Sequence, residues 1–242
     1  MTTFRFERQL FDVLHASSSS AVADPISQRH YRLLEHPQVG GRIPDLVMMF
    51  SRVDALRPLR LTYFEAALVS TLLRLGEATA IRIAEHLFAP LSAIGAAVHR
   101  LVGLRVLKRR RSGDTEVYRV SERALPRDAE VVAVEAKLRR WRVALEQATA
   151  YLEFANRAFV AMPSDTARRN TAMLEACAER GVGVIAVDAA CAATVLEAVR
   201  RPTKSPDWLR LVSAHLGIVR DPARTDGTPP PNFPGAAARS LG

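Results

Sequence analysis

The stretch EVVAVEAKLRRWRVALEQATAY, residues 130–151, joins a short apolar strand pattern to a helical pattern. The run VVAV near its start is rich in β-branched residues, which is typical of a buried strand. Glu135 and Lys137 follow two positions apart, and alternation along a strand puts both on one face. On the helix, Gln147 and Tyr151 are four positions apart and share a face. The stretch therefore predicts that a strand end and the next helix present a carboxylate, an amine, an amide and a phenol.

Glu135 and Lys137 also have a simpler interpretation, an exposed ion pair at the end of a strand, which would contribute little to stability. The apolar strand before the pair and the helix after it favour a functional role instead. The pair is expected where a buried strand emerges, not on an exposed helix.

The motif Val134-Glu135-Ala136-Lys137, followed by Gln147-x-x-x-Tyr151, resembles the PD-(D/E)xK nuclease superfamily, and its last element resembles the RecB-like branch. That family carries a second acid upstream, often as Pro-Asp on a preceding strand. Pro44-Asp45 occupies such a position here, before an apolar run that ends at Phe50. The spacing is unusual, because a short hairpin commonly separates the two acids in the family. A carboxylate that caps a turn is the alternative interpretation of Asp45.

The resemblance implies a restriction-endonuclease-like fold, a mixed α/β sheet flanked by helices, and a metal-dependent deoxyribonuclease. The implied catalytic residues are the upstream acid, the Glu-x-Lys pair and the Gln-x-x-x-Tyr pair: Asp45, Glu135, Lys137, Gln147 and Tyr151. The two acids and the Ala136 carbonyl would hold Mg²⁺ or Mn²⁺, since these ions prefer oxygen ligands. The lysine would orient the attacking water and offset developing negative charge. The glutamine and tyrosine would position the lysine or the substrate.

An N-terminal helix is predicted over residues 4–15, because apolar residues recur there at helical spacing. Glu7 lies in its first turn, where the helix dipole alone favours an acid. Some members of the family that this chain resembles bring an acid of this helix to the metal, so Glu7 is a further candidate ligand. Ser17 to Ser20 and the following Asp24-Pro25 predict a loop.

Three helices are predicted in the middle of the chain, at Thr62–Leu75, Ala80–Leu87 and Leu91–Leu101. An alternating hairpin follows, up to Val120, and its basic residues 108–111 are called the wing. This order of elements resembles a winged helix-turn-helix domain over residues 59–123. This domain would be inserted between the strand that carries Asp45 and the strand that carries Glu135. Such an insertion is acceptable if its two ends lie close together.

The remaining chain is assigned by the same patterns. A nuclease-like core would comprise residues 1–58 and 124–218, and the Pro-, Gly-, Ala- and Arg-rich residues 219–242 would form a disordered or extended tail. The elements predicted after the Glu135 strand are a helix at 139–155, a strand at 157–163, a helix at 166–179, a last core strand at 183–188, and short helices at 194–200 and 207–216. This order supports a mixed α/β sheet.

The third helix of the inserted domain, LSAIGAAVHRL, has few side chains that read bases, whereas the wing is dense in cations. This distribution suits phosphate contact better than base readout. The predicted nucleic-acid-binding residues lie on that helix and on the wing: Ser92, Arg100, Lys108, Arg109, Arg110 and Arg111. A protein-interaction domain with a solvated basic hairpin is the alternative.

The 242-residue chain is basic overall, with a formal net charge of +9 and a pI near 10.5. This charge favours a polyanionic partner such as DNA, although a basic protein can also simply be soluble. No apolar run is long enough to span a bilayer, and the N-terminus lacks a signal-peptide core. Cys177 and Cys191 have no partner at metal-binding spacing and are expected to be reduced core cysteines of a cytoplasmic protein.

The leading hypothesis is therefore metal-dependent cleavage of DNA phosphodiesters, with the winged helix binding DNA. The alternative is a non-catalytic DNA-binding regulator or scaffold that retains a nuclease-like core. The weakly polar third helix and the long insertion favour this alternative. A homodimer or a larger complex is compatible with both.

Overall fold

The computed structural model describes residues 4–22, 30–51, 58–122, 124 and 129–217. The predicted tail, residues 219–242, lies outside the described residues. In chain order the elements are α1 (Glu7–Val22), β1 (His30–Glu35), β2 (Leu46–Ser51), α2 (Tyr63–Leu75), β3 (Glu77–Thr79), α3 (Ala80–Leu87), α4 (Leu91–Gly103), β4 (Leu107–Ser112), β5 (Thr115–Val120), β6 (Glu130–Ala136), α5 (Trp141–Tyr151), β7 (Arg157–Pro163), α6 (Ser164–Arg169), α7 (Thr171–Arg180), β8 (Gly183–Val187), β9 (Ala192–Leu196) and α8 (Pro206–His215).

A six-stranded mixed sheet with the order β1-β2-β6-β7-β8-β9 forms the core. Strand β2 is antiparallel to both neighbours, β6, β7 and β8 are parallel, and β9 is antiparallel to β8. The register pairs Leu46 with Val134 and Phe50 with Glu130. The start of β2 therefore meets the end of β6. The inserted segment leaves and rejoins the sheet at the opposite end, where its two ends are close, as expected for an extended hairpin connection.

Side-chain alternation divides the sheet into two buried faces. Val132 and Val134 pack with α1 on one face, whereas Val131 and Ala133 belong to the cluster that contains α5, α7 and α8. Full burial of such aliphatic side chains contributes about 1.5–3 kcal/mol each. Residue 135 continues the second set, so its side chain is directed toward α5.

The segment from α2 to β5 forms a winged helix. It consists of the three helices α2, α3 and α4 and a three-stranded sheet of order β3-β5-β4. Thr62 caps α2 in a reciprocal capping box with Glu65. Strand β3 was not predicted, because three residues are too short for a period-2 pattern. The boundaries at 59 and 123 stay predictions. Helix α2 packs on α8, and the apolar cluster continues from the winged helix into the core.

The loop predicted at Ser17–Ser20 and the continuous helix predicted at residues 166–179 are both wrong. Helix α1 continues to Val22 and includes Ser17–Ser20, which were expected in a loop. The Ser18 hydroxyl donates to the His15 carbonyl and also contacts the Tyr31 hydroxyl, so the polar side chain is satisfied within the helical segment. The helix expected over residues 166–179 is instead split into α6 and α7. It breaks at Asn170, whose side chain accepts from a backbone N–H in the first turn of α7.

Helix α5 begins at Trp141 rather than at residue 139, because Arg140 adopts a left-handed conformation with φ of 55°. It ends at Tyr151, before the predicted end at residue 155. Strand β9 occupies residues where a helix was expected at 194–200. Its β-branched side chains fit a strand that pairs with β8, so β8 is not the last strand.

Cys177 is buried as predicted, but Cys191 is exposed in the β8–β9 turn, so its prediction as a core residue is wrong. Within the described residues, no single helix has the length and apolar composition needed to cross a membrane. Helices α3 and α4 meet that criterion only when taken together, and they are bent by 116° relative to each other.

Candidate active site

Four of the five predicted catalytic side chains meet at the end of β6. Lys137 lies just beyond the strand, with its Nζ 2.7 Å from Glu135 Oε1 and 4.0 Å from Asp45 Oδ2. The Tyr151 hydroxyl, from the last residue of α5, donates to Glu135 Oε2 at 2.6 Å. A lysine ammonium group therefore lies between two carboxylates, and a phenol holds one of these carboxylates from the other side.

Asp45 is held by the backbone of the strand that carries its partner. Its Oδ2 accepts the Ala136 N–H at 2.7 Å, and its Oδ1 lies 3.6 Å from His36 Nδ1. The His36 ring stacks on Phe11 at a centroid distance of 5.1 Å. Sequence reasoning missed His36. The Gly40-Gly41 turn could have indicated it, because this turn folds β1 back on β2 and places residues 36 and 45 opposite each other.

Burial and the contacts within the cluster together set the protonation of its groups. Only 2% of the Glu135 side chain is exposed, and this burial raises its pKa against the lowering effect of its bonds to Lys137 and Tyr151. Burial, followed by the bond to Glu135, raises the pKa of Tyr151 strongly, so the phenol stays a proton donor. For Lys137 burial would lower the pKa, but the Glu135 hydrogen bond and the charges of Glu135, Asp45 and Glu7 raise it overall. The amine is therefore cationic at neutral pH.

Gln147, the fifth predicted side chain, lies on α5 one turn before Tyr151. Its Oε1 is buried and accepts no hydrogen bond from the described part of the chain. A buried amide oxygen without a donor is unfavourable by roughly 1–3 kcal/mol. Gln147 and Tyr151 lie four positions apart in α5, so they share a side of the helix, as predicted. The role of Gln147 in positioning stays a prediction.

Asp45 and Glu135 supply carboxylate oxygens, the ligand type that a hard divalent cation takes, while Lys137 and Tyr151 bond both oxygens of Glu135 in this structure. Asp45, Glu135 and the Ala136 carbonyl would hold the ion, and Mg²⁺ commonly takes only one or two carboxylates while it keeps water and phosphate ligands. Across residues 4–217, outside the undescribed gaps, no three His, Cys, Asp or Glu side chains form a metal-binding group. A closed zinc site, which needs four such ligands, therefore does not fit. Glu7 is exposed at the start of α1, and its role as a ligand stays a prediction.

Exposed arginines surround the start of α5, next to Lys137. Arg139, Arg140 and Arg142 are exposed, and the first turn of α5 has neither an acid nor a side-chain cap. The Arg142 guanidinium lies 4.4 Å from the centre of the Trp141 ring. The helix N-terminus and these cations add to one positive surface beside the cluster.

The arginines of the wing are paired with acids of the winged helix itself. The pairs are Arg109–Glu116 at 3.4 Å, Arg110–Glu77 at 3.3 Å and Arg111–Asp114 at 3.6 Å. All of these side chains are exposed, and exposed pairs contribute only about 0–1 kcal/mol each, so a phosphate can compete with the acids. Lys108 is exposed and has no acid partner among the residues that the structure describes.

The two predicted DNA-contacting residues of α4 differ in their surroundings. Ser92 is exposed near the start of the helix. Arg100 pairs with the buried Glu65 of the α2 capping box, so part of its guanidinium is used inside the domain. The other outward positions are small or weakly polar, including Gly95, Ala96 and His99. Helix α4 therefore offers little for bidentate base recognition.

No protein-family profile and no curated protein sequence matches the chain. Among solved structures, it is similar to wild-type ZitR from Lactococcus lactis in complex with DNA, at 21% identity over 38% of this chain and 56% of that chain, with a TM-score of 0.27. It is also similar to the antimony-specific transcriptional repressor AntR, at 24% identity over 24% and 51%, with a TM-score of 0.23. A protein of unknown function from Silicibacter pomeroyi, SPO1766, matches at 22% identity over 38% and 64%, with a TM-score of 0.27. The chain spans about half the length of the first solved chains it matches.

Proposed function

We propose that the protein is a metal-dependent nuclease that hydrolyses DNA phosphodiesters. The observation that carries this proposal is the position of the Lys137 amine, between the carboxylates of Asp45 and Glu135. Two separate parts of the chain contribute these groups, and the backbone at Ala136 holds the first of them in place. The mixed sheet, with the acids at one end of the β2–β6 pair, supports a restriction-endonuclease-like core.

The residues of the cluster have distinct parts in this chemistry. A bound divalent ion supplies polarisation of the phosphate and a water of lowered pKa. Lys137, which stays protonated, orients the attacking water and offsets negative charge that develops on the phosphate oxygens. Tyr151 is a positioning residue, because its hydroxyl fixes one oxygen of Glu135. The arginines at the start of α5 and the cations of the wing hold the DNA backbone.

The test is a cleavage assay on supercoiled, linear duplex and single-stranded DNA with Mg²⁺ or Mn²⁺. Wild-type protein is expected to cleave at least one of these forms, and Lys137→Met is expected to lose cleavage. Lys204→Met is the matched control, since Lys204 is exposed and lies outside the cluster. Failure of the wild-type protein to cleave any of the substrates with either ion would refute the proposal.

The second candidate function is a non-catalytic DNA-binding regulator or scaffold. A specific observation favours it: Lys137 and Tyr151 already hydrogen-bond both oxygens of Glu135. The cluster is thus internally satisfied, and a structural role would account for it. This function requires only the winged helix and its basic wing. A cytoplasmic location and a homodimer or larger complex stay predictions under both candidates.

Binding measurements separate the two candidates. Under the nuclease proposal, Glu135→Gln abolishes cleavage, and affinity for DNA without metal stays equal or rises because a repulsive charge is removed. Replacing Arg109, Arg110 and Arg111 with Gln lowers affinity and flattens the salt dependence, by up to roughly one unit per lost phosphate contact. If the wing variant abolishes every activity while Lys137→Met changes none, the regulator is supported instead.

A further inference from the structure

A cavity of about 810 Å³ lies between the core and the segment that leads into the winged helix. Four parts of the chain line it, one of which is the loop after β1 at residues 38–39. Arg32 comes from β1, Arg60 from the segment before α2, and Asp207, Arg210 and His215 from α8. Its volume is in the range of small-molecule sites. Neither the proposed catalysis nor the predicted DNA contacts use these residues.

The polar lining of this cavity is strongly positive. Its single carboxylate, Asp207, pairs with Arg210 at 3.5 Å. Arg32 and Arg60 are exposed, and in the described ranges no carboxylate pairs with either of them. Burial, followed by the charges of Arg32 and Arg60, lowers the pKa of His215. Arg32, Arg60 and His215 line the same cavity, so the positive charges of the two guanidinium groups oppose protonation of the imidazole.

We propose that this cavity binds a phosphate group, held by the guanidinium groups of Arg32 and Arg60 with Arg210 beside them. A guanidinium presents two parallel N–H donors that match two phosphate oxygens, and it stays charged at every relevant pH. His215 adds a further donor when an anion offsets the repulsion by the arginines. This proposal is independent of the nuclease proposal.

The position of the site links the two parts of the molecule. The segment that carries Arg60 is joined to α8 by a hydrogen bond from the Leu59 N–H to the Ser213 carbonyl, at 2.7 Å. A phosphate held by Arg32 and Arg60 connects the same segment to β1. Bound phosphate therefore stabilises the junction between the core and the winged helix, because a ligand of the folded state raises its stability.

The experiment uses full-length protein and three probes: pyrophosphate, ATP without divalent metal, and a short DNA duplex. Ionic strength is kept constant with NaCl. Binding is followed by thermal unfolding and by the NMR signal of the His215 ring, which His215→Gln identifies. The test variant is Arg32→Gln with Arg60→Gln. The matched control is Arg168→Gln with Arg169→Gln, two exposed arginines of α6 that lie outside the cavity.

A phosphate-bearing probe is expected to shift the His215 signal saturably and to raise the unfolding midpoint. The Arg32 and Arg60 variant should bind roughly tenfold more weakly for each arginine lost, whereas the control variant binds as the wild type does. Without any probe, the pKa of His215 should be higher in the Arg32 and Arg60 variant than in the wild type, because two neighbouring positive charges are removed. This measurement checks that both arginines lie near His215 even if phosphate binding is weak.

The probes also identify the source of the phosphate. Saturation by pyrophosphate or ATP assigns the site to a free phosphorylated ligand, and a response to duplex alone assigns it to the DNA backbone. The proposal is overturned if no probe shifts the His215 signal saturably, or if the Arg32 and Arg60 variant binds with wild-type affinity.

Discussion

Replacing Lys137 with methionine removes the amine that lies between the two carboxylates and keeps the apolar stem of the side chain. The Nζ lies 2.7 Å from Glu135 and 4.0 Å from Asp45. Only 2% of the Glu135 side chain is exposed, against 22% for Lys137. We expect the variant to be less stable than the wild type, because a buried carboxylate loses its cation.

The magnitude follows from this burial. Loss of one partner of a fully buried ion pair costs about 3–5 kcal/mol. Lys137 is partly exposed and Glu135 keeps its bond to Tyr151, so we expect a smaller loss, of about 2 kcal/mol, which corresponds to roughly 4–8 °C for a chain of this size. Glu135→Gln removes the charge and keeps the side-chain volume. The double variant should therefore lose about 1–2 kcal/mol less stability than the sum of the losses in the two single variants, and this difference is the coupling between the two sites.

Urea unfolding at neutral pH of the wild type, the two single variants and the double variant measures this coupling. Lys204→Met serves as the control and should leave the free energy of unfolding within about 0.5 kcal/mol of the wild type. A coupling between Lys137 and Glu135 below about 0.5 kcal/mol would mean that the two groups do not interact directly. The cleavage assay on the same proteins separates function from stability, since the double variant should stay inactive despite its recovered stability.

Three further predictions concern packing, thiol chemistry and capping. Gly183→Ala should destabilise the fold by about 1–3 kcal/mol, because the added Cβ would lie 2.4 Å from an aromatic ring of β7. The control is Gly95→Ala in α4, where the added Cβ meets open space, and it should stabilise the fold by up to about 1 kcal/mol. Equal effects of the two substitutions in urea unfolding would contradict the packing around Gly183. Cys191 should be alkylated in the folded protein and Cys177 only after unfolding, as mass spectrometry of the labelled peptides would show. Burial raises the pKa of Cys177 to about 11, so the thiol contributes stability below its ordinary pKa of 9.0 and this contribution is lost as the pH rises through about 11. The free energy of unfolding of Cys177→Ala should therefore fall less than that of the wild type over this pH range. An equal fall in both proteins would argue against a buried thiol with a raised pKa. Thr62→Ala should cost about 1 kcal/mol in thermal unfolding, because it removes the cap of α2, and an unchanged midpoint would rule out that contribution.

Local patterns in the sequence predicted the winged helix except for β3, and they predicted one half of the candidate site. Helices α2, α3 and α4 and the β4–β5 hairpin follow from apolar spacing and turn residues, which act over a few positions of the chain. The two-residue period of β6 put Glu135 and Lys137 on one face, and the four-residue spacing on α5 put Gln147 on the side of Tyr151. Local patterns did not predict β9 or the break at Asn170, because pairing with β8 and a side-chain cap decided those segments.

The resemblance paired Asp45 with Glu135, but local patterns did not determine which distant groups meet, and the tertiary structure decides their contacts. The bond from the Ala136 N–H to Asp45 joins residues 91 positions apart, and it depends on the β2–β6 register rather than on either strand by itself. The acid partners of the wing arginines, and the presence of Arg32 and Arg60 in one cavity beside α8, likewise depend on contacts between separate elements. A strand pattern determines which side chains share a face, but it leaves open which strand is the neighbour. Burial of both faces of the sheet selects that neighbour, and this selection brings the acid of one segment to the lysine of another.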